Sequence, residues 1–130
     1  MQTPRVPEDQ VPKIAERLVA AIAAQDEAAI TACFAENVEF RALSPPGIRE
    51  RSAGAEAGAL IARWFGDATV LDLAETRAVQ IGDRLRISYR FTGVENDEPF
   101  VVEQHLFCTV RNGKIEQADL LCSGFRPPIA

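Results

Sequence analysis

His105, the only histidine of the chain, and Asp119 are the residues best suited to acid–base chemistry. An imidazole titrates near neutral pH, and a carboxylate that holds one ring nitrogen fixes the tautomer and raises the basicity of the ring. If the two side chains face each other across neighbouring strands, His105 can serve as a general base that Asp119 orients. The alternative is a surface ion pair with Glu103 and Arg90 nearby, and we favour it because exposed charge pairs are common on sheets.

Tyr89 and Gln104 are polar residues whose neighbours two positions away on either side are apolar. In a ligand site they would orient a carbonyl or hydroxyl group. Otherwise they would hydrogen-bond each other, as buried polar groups must. Trp64 would close such a site from a helix, or it would only fill the core. The sequence leaves both interpretations open.

Composition excludes several classes of function. The chain has 130 residues and a net charge of -5, and nucleic-acid binding requires a basic surface instead. No apolar run approaches the roughly 18 residues of a membrane span, and the polar start of the chain gives no secretory signal. Three cysteines without CxxC spacing, Cys33, Cys108 and Cys122, favour a reducing cytoplasm and argue against a metal site. We therefore expect a cytoplasmic protein without a metal or other cofactor.

Hydrophobic periodicity predicts three helices followed by a run of strands. The helices span about 12–25, a short segment capped by Asp26, and about 55–65 after a capping Ser52. Alternating apolar and polar residues predict strands at about 38–42, 68–81, 84–94, 100–110 and 114–125. The last four strands form an antiparallel meander, and helices must cover its apolar face. We predict a single α+β domain over residues 12–130, preceded by a flexible lead-in at 1–11.

The turn between the last two strands has two possible registers, and a one-residue slip reverses the face of every side chain. A three-residue loop over Arg111–Gly113 places His105 across from Asp119. A tight two-residue turn at Asn112-Gly113 places His105 opposite Leu120 instead. We favour the loop because it separates polar from apolar residues well.

In the favoured register one face of the meander is apolar and the other is mostly charged. The apolar face consists of Leu85, Ile87, Tyr89, Phe91, Val102, Gln104, Leu106, Cys108, Ala118, Leu120 and Cys122. Phe107 and Leu121 stand among the charges of the other face, which makes that face more apolar than a free surface requires. We therefore expect a homodimer through this second, convex face.

Several short motifs resemble those of one protein superfamily. They are Ala23-Ala24-Gln25-Asp26, Cys33-Phe34-Ala35-Glu36-Asn37-Val38, Arg51-Ser52-Ala53-Gly54 and Arg111-Asn112-Gly113-Lys114-Ile115. Their order over roughly residues 12–125 is similar to the nuclear-transport-factor-2-like superfamily, especially its SnoaL-like branch. The resemblance implies a curved antiparallel sheet wrapped around three N-terminal helices to form a cone with an internal pocket. Such cones usually hold a small apolar ligand, and their convex face often dimerises.

The resemblance also implies where catalytic residues would lie. The superfamily's ketosteroid isomerases have proton-shuttling residues at positions that match Leu18, Ala42 and Leu106, and its cyclases at positions that match Leu106 and Leu120. All are apolar here. We therefore expect the domain to bind a small hydrophobic molecule, without an identified catalytic set. The expected pocket residues are Leu18, Phe40, Trp64, Ile87, Tyr89, Gln104, Leu106 and Leu120. The alternative is a cofactor-free isomerase, cyclase or dehydratase that uses His105 and Asp119.

Overall fold

The computed structural model describes residues 11–45 and 47–129, with side chains from Lys13 onward. The helices are α1 (Val11–Ala23), α2 (Glu27–Ala32) and α3 (Gly54–Phe65). The strands are β1 (Phe34–Ser44), β2 (Gly47–Arg51), β3 (Ala68–Ile81), β4 (Arg84–Glu95), β5 (Glu98–Arg111) and β6 (Lys114–Cys122). The lead-in predicted at 1–11 lies outside the described residues except for Val11, which already belongs to α1.

A local side-chain hydrogen bond caps the start of α2, whereas the start of α3 is determined by its packing against β1. Asp26 caps α2 as predicted, since its carboxylate accepts a hydrogen bond from the Ala29 amide at 3.1 Å. The predicted cap of α3 by Ser52 is wrong, because Ala53 is the N-cap and makes no side-chain bond there. The helix begins instead where Gly54 allows close approach: a Cβ at this position would lie 2.7 Å from a backbone carbonyl oxygen of β1.

The six strands form one sheet in the order β2-β1-β6-β5-β4-β3. The predicted meander of β3 to β6 is confirmed, and the helices pack on its apolar face to give the predicted α+β fold. Two features differ from the predicted purely antiparallel sheet. Strand β1 pairs with β6 in parallel, and β2, which the sequence did not indicate, pairs antiparallel with β1.

The β5–β6 register combines both predicted possibilities. Asn112 and Gly113 have φ angles of 54° and 75°, which fits a tight two-residue turn, so the predicted three-residue loop is wrong. A bulge then shifts the register between Thr109 and Val110, where β6 has one extra residue. The extra residue returns the apolar side chains of β6 to the same face as those of β5. The predicted faces are therefore correct, although each partner differs by two residues from the prediction.

The apolar face of the meander is the wall of the core. All eleven of its predicted residues are buried, the most exposed being Cys122 at 7%. Ile14, Leu18 and Ile22 of α1 and Leu60 and Ile61 of α3 pack in the same cluster. This concave face therefore encloses the interior of the fold, and the opposite, convex face carries the charged residues.

Candidate functional site

Seven of the eight predicted pocket residues lie in the shared core. Leu18, Phe40, Ile87, Tyr89, Gln104, Leu106 and Leu120 are each no more than 3% exposed. Trp64 is half-buried and packs against this core from α3. The structure thus brings the seven together on the inner side of the sheet and places Trp64 at the rim.

A short hydrogen-bond network crosses this apolar interior. The Tyr89 hydroxyl donates to Oε1 of Gln104 at 2.6 Å, and Nε2 of Gln104 donates to the Cys122 sulfur at 3.3 Å. The predicted cross-strand pairing of Tyr89 with Gln104 is confirmed. Burial raises the pKa of Tyr89 far above its ordinary value, so its hydroxyl stays a donor at neutral pH. A thiol is a weak acceptor, which leaves the amide group of Gln104 with donor capacity to spare.

A cavity of about 280 Å³ adjoins this network at the rim of the cone. This rim cavity is lined by Ser44, Pro45, Trp64, Cys122, Gly124, Phe125 and Arg126. Cys122 belongs to both features, because its sulfur accepts from Gln104 and its side chain borders the cavity. The rings of Phe65 and Phe100 hold Phe125, with centroids 5.4 and 5.2 Å from its own.

Sequence reasoning assigned Ser44 to a loop and Phe125 to the end of the last strand, and so missed both as cavity residues. The signal for Ser44 was available. Val38, Phe40 and Ala42 alternate inward along β1, and one further step reaches Ser44, which is 7% exposed. Phe125 carries no such signal, since it lies after the end of β6.

Two of the three cysteines, Cys33 and Cys108, are poorly suited to act as nucleophiles. All three thiols are free and buried. Burial raises the pKa of Cys108 to about 12 and also raises that of Cys33. Because the thiolate is the reactive form, both side chains behave as packing residues at neutral pH.

His105 lies on the convex face and does not pair with Asp119. Its Nδ1 is 2.9 Å from Ser88 Oγ, and its Nε2 is 2.8 Å from Glu103 Oε2. Glu103 also pairs with Arg90 at 2.7 Å. The hydrogen bond from His105, assisted by Arg90, holds the pKa of Glu103 below its ordinary value. The structure therefore contains the favoured alternative in this form: a surface ion pair of Glu103 with Arg90, to which His105 is hydrogen-bonded.

Asp119 has different partners. It faces Phe107 in the register and contacts Arg41 and Arg84, each at 3.4 Å, while the Gln117 amide donates to it at 3.2 Å. The predicted His105–Asp119 pair is wrong, because the bulge in β6 places Leu121 across from His105.

Buried apolar residues occupy the positions that match the superfamily's proton-shuttling residues. Leu18, Ala42 and Leu106 are 0% exposed and Leu120 is 3% exposed. Among residues 13–45 and 47–129, no buried side chain carries a carboxylate or an imidazole. The described residues contain no cluster of His, Cys, Asp or Glu suited to a metal ion. No helix within 11–45 or 47–129 is long and apolar enough to cross a membrane.

Solved structures with this fold come from several bacteria. One is a protein with a ketosteroid isomerase-like fold from Catenulispora acidiphila, in complex with trimethylamine (19% identity, TM-score 0.70, covering 85% of each chain). Another is an NTF2-like protein from Burkholderia xenovorans (18% identity, TM-score 0.62, covering 88% of this chain and 90% of that one). A third is an epoxide hydrolase of M. tuberculosis (12% identity, TM-score 0.67, covering 88% and 84%). These likenesses show the fold, and no curated protein matches the sequence.

The family itself follows from a match over most of the chain. Residues 15–118 match the model of the SnoaL-like domain, and this stretch contains all three helices apart from the first turn of α1. It also covers the first five strands and half of β6. The chain therefore belongs to the SnoaL-like domain family.

Proposed function

We propose that this domain binds a small, largely apolar molecule that carries one hydrogen-bond acceptor, and that it does so in the rim cavity. The observation that carries the proposal is the buried amide of Gln104, whose partners among the described residues are the Tyr89 hydroxyl and the Cys122 sulfur. A carbonyl or hydroxyl oxygen on a ligand is a better acceptor than a sulfur. A ligand oxygen that replaces the Cys122 sulfur as the acceptor for Gln104 forms a stronger hydrogen bond. The Gln104 amide keeps a partner in the process, so the exchange favours ligand binding.

The walls of the cavity match the rest of such a ligand. Trp64 and Phe125 contribute aromatic rings to its lining, next to Pro45. A volume of about 280 Å³ lies near the lower limit of roughly 300 Å³ for ligand pockets, which restricts the ligand to a small molecule.

Fluorescence of Trp64, the only tryptophan, tests this proposal directly. The probes are small cyclic ketones and the corresponding hydrocarbons. We expect the ketones to change the emission saturably, with about tenfold weaker binding of the hydrocarbons from loss of one hydrogen bond. Ser44→Leu, which fills the cavity, should abolish binding. The control is Ser52→Leu, which makes the same substitution at an exposed serine outside the cavity lining. Equal loss in both variants, or no saturable response to any ketone, would refute the proposal.

We also propose that two copies associate through the convex face. Support comes from an apolar stripe made of Leu43, Ile48, Phe107 and Leu121. Leu43 lies beside Ile48 and beside Leu121 in the register, and these three side chains are 50–66% exposed. Phe107, two residues from the position opposite Leu121, is 39% exposed. A contiguous exposed apolar patch of this kind is typical of an interface.

Sedimentation velocity at tens of micromolar tests the association. We expect a dimer that Leu121→Glu converts to monomer, because the charge would be buried against its symmetry mate. Val70→Glu adds the same charge at a residue of β3 that is 45% exposed and should leave the dimer intact. A monomer in the unmodified protein would refute this proposal.

A catalytic role for His105 and Asp119 has no support from their positions, since they have separate partners on the outer face. We further propose a cytoplasmic location, supported by three buried thiols that remain free. Labelling of a tagged full-length chain in fractionated cells would test it, and recovery from an oxidising compartment would contradict it.

A further inference from the structure

A second cleft of about 240 Å³ opens on the convex face between β3, β4 and β5. Five of its lining residues matter here, namely Arg77, Arg86, Ser88, Arg90 and His105, and we call it the arginine cleft. It lies on different strands from the apolar stripe except at β5, where Phe107 pairs with Arg86. Nothing in the proposed function uses it.

The carboxylates of the cleft are already engaged. Glu103 accepts from Arg90 at 2.7 Å and from His105 at 2.8 Å, and Glu75 lies 3.5 Å from the same Arg90. Arg90 and the two glutamates thus form a closed network. The charge that remains in the cleft is positive, although the chain as a whole has a net charge of -5.

Arg86 and Arg77 are the remaining cations. Among the described residues neither lies within ion-pair distance of a carboxylate. Nε of Arg86 is buried and has no hydrogen-bond acceptor within the described part of the chain. Arg84, two residues away, also has a buried Nε without an acceptor, but its Nη2 donates to the Phe107 carbonyl and to Asp119. A buried donor without a partner is rare in native proteins, so Nε of Arg86 is available to an acceptor from outside the chain.

We infer that the arginine cleft binds a small oxyanion, a carboxylate or a phosphate group, between Arg86 and Arg77. A guanidinium presents paired N–H donors that match the oxygens of either group. Arg77 lies directly across from Ser88 in the β3–β4 register, and Arg86 lies two residues before Ser88 on the same face. Ser88 is therefore a neighbour of both cations in the sheet, and its hydroxyl, which lies 2.9 Å from Nδ1 of His105, adds a further polar contact for the anion.

Titration of the full chain with inorganic phosphate, and separately with acetate, tests this inference at constant ionic strength. Backbone amide shifts in nuclear magnetic resonance spectra are the readout. We expect saturable shifts centred on residues 77 and 86–88. Tighter binding of phosphate would identify a phosphate-bearing ligand, and tighter binding of acetate a carboxylate ligand.

Arg86→Met should weaken binding about tenfold or more, the usual effect of losing a charge-assisted hydrogen bond. Arg63→Met is the matched control: it removes the same charge from an exposed position on α3 and should change affinity less than about twofold. Arg77→Met, at an exposed residue, should also weaken binding and serves if Arg86→Met fails to fold.

Three results would overturn the inference. They are the absence of saturable shifts with either anion, equal effects of Arg86→Met and Arg63→Met, and an Arg86→Met variant that alters sedimentation while anion affinity stays unchanged. In the last case the acceptor for Arg86 would belong to a second copy of the chain.

Discussion

Replacing Tyr89 with phenylalanine removes the hydroxyl that donates to Gln104 and leaves the ring unchanged. The bond is 2.6 Å long, and both side chains are at most 1% exposed. Its loss leaves Oε1 of Gln104 buried without a donor, which costs about 1–3 kcal/mol for a neutral group. We expect the free energy of unfolding to fall by this amount, well beyond the roughly 0.5 kcal/mol typical of surface substitutions.

The double variant gives the sharper measurement. Gln104→Leu alone leaves the Tyr89 hydroxyl without its acceptor, whereas Tyr89→Phe combined with Gln104→Leu removes both polar partners. Because an apolar pair leaves no orphaned group, we expect the double variant to be more stable than the sum of the single effects predicts, by about 1–2 kcal/mol.

Urea unfolding, followed by circular dichroism and Trp64 fluorescence, measures these free energies. Ser88→Ala and His105→Ala form the matched control, because they pair across the same two strands with a 2.9 Å bond but lie on the outer face. Their coupling should stay below about 1 kcal/mol, as expected for a partly exposed pair. Additive effects for Tyr89 and Gln104 would refute the network, and the proposed ligand site would lose its hydrogen-bonding group.

Three further predictions follow from other buried and charged groups. At pH 8 Cys33 and Cys108 should react with a thiol reagent far more slowly in the native protein than in urea. The reason is that burial raises the pKa of both thiols, that of Cys108 to about 12. Equal reaction rates in the two conditions would contradict this. The pKa of Glu103 is lowered on folding, so its stabilisation exists above the unfolded pKa of about 4.3 and is lost as pH falls through the folded value. Glu103→Gln should therefore destabilise by less than about 1 kcal/mol at pH 7 and by nothing near pH 2, as urea unfolding would measure; an unchanged difference at the lower pH would contradict the linkage. Gly58→Ala should lower the melting temperature, because the new Cβ would lie 2.9 Å from Cα of Thr31 on α2; an unchanged melting temperature would mean that α2 and α3 separate easily.

Local sequence patterns predicted which face of the sheet each side chain occupies, but not always which residue lies opposite it on the neighbouring strand. Glu95 and Glu98 pair across a two-residue turn in which Asn96 and Asp97 have positive φ, and this turn sets the β4–β5 register that places Tyr89 across from Gln104. At Asn112-Gly113 the turn was equally well signalled, yet burial of the whole apolar face required one extra residue in β6. Next to this bulge Ile115 pairs with Phe34 of β1 and donates to the Cys33 carbonyl at 2.9 Å, and no local pattern contains such contacts between residues distant in sequence.

The same reason explains the error at His105. A shift of two residues keeps every side chain on its face and changes every partner. The polar character of the convex face therefore could not distinguish Asp119 from Leu121 as the residue opposite His105. Alternation along β1 could have indicated Ser44, but the rim cavity as a whole could not be predicted, because its walls come from β1, α3, the end of β6 and the segment after it.

The position of the titratable groups limits what the rim cavity can do. Its one charged lining residue is Arg126, which donates hydrogen bonds and has no acceptor. Behind it, burial keeps the Tyr89 hydroxyl protonated at neutral pH, and the Gln104 amide does not titrate. These three groups would orient a bound oxygen without exchanging a proton with it, so none of them would supply the usual contribution of general acid–base catalysis, about 10²–10⁴-fold. Any turnover that survived Ser44→Leu would therefore have to arise outside the rim cavity.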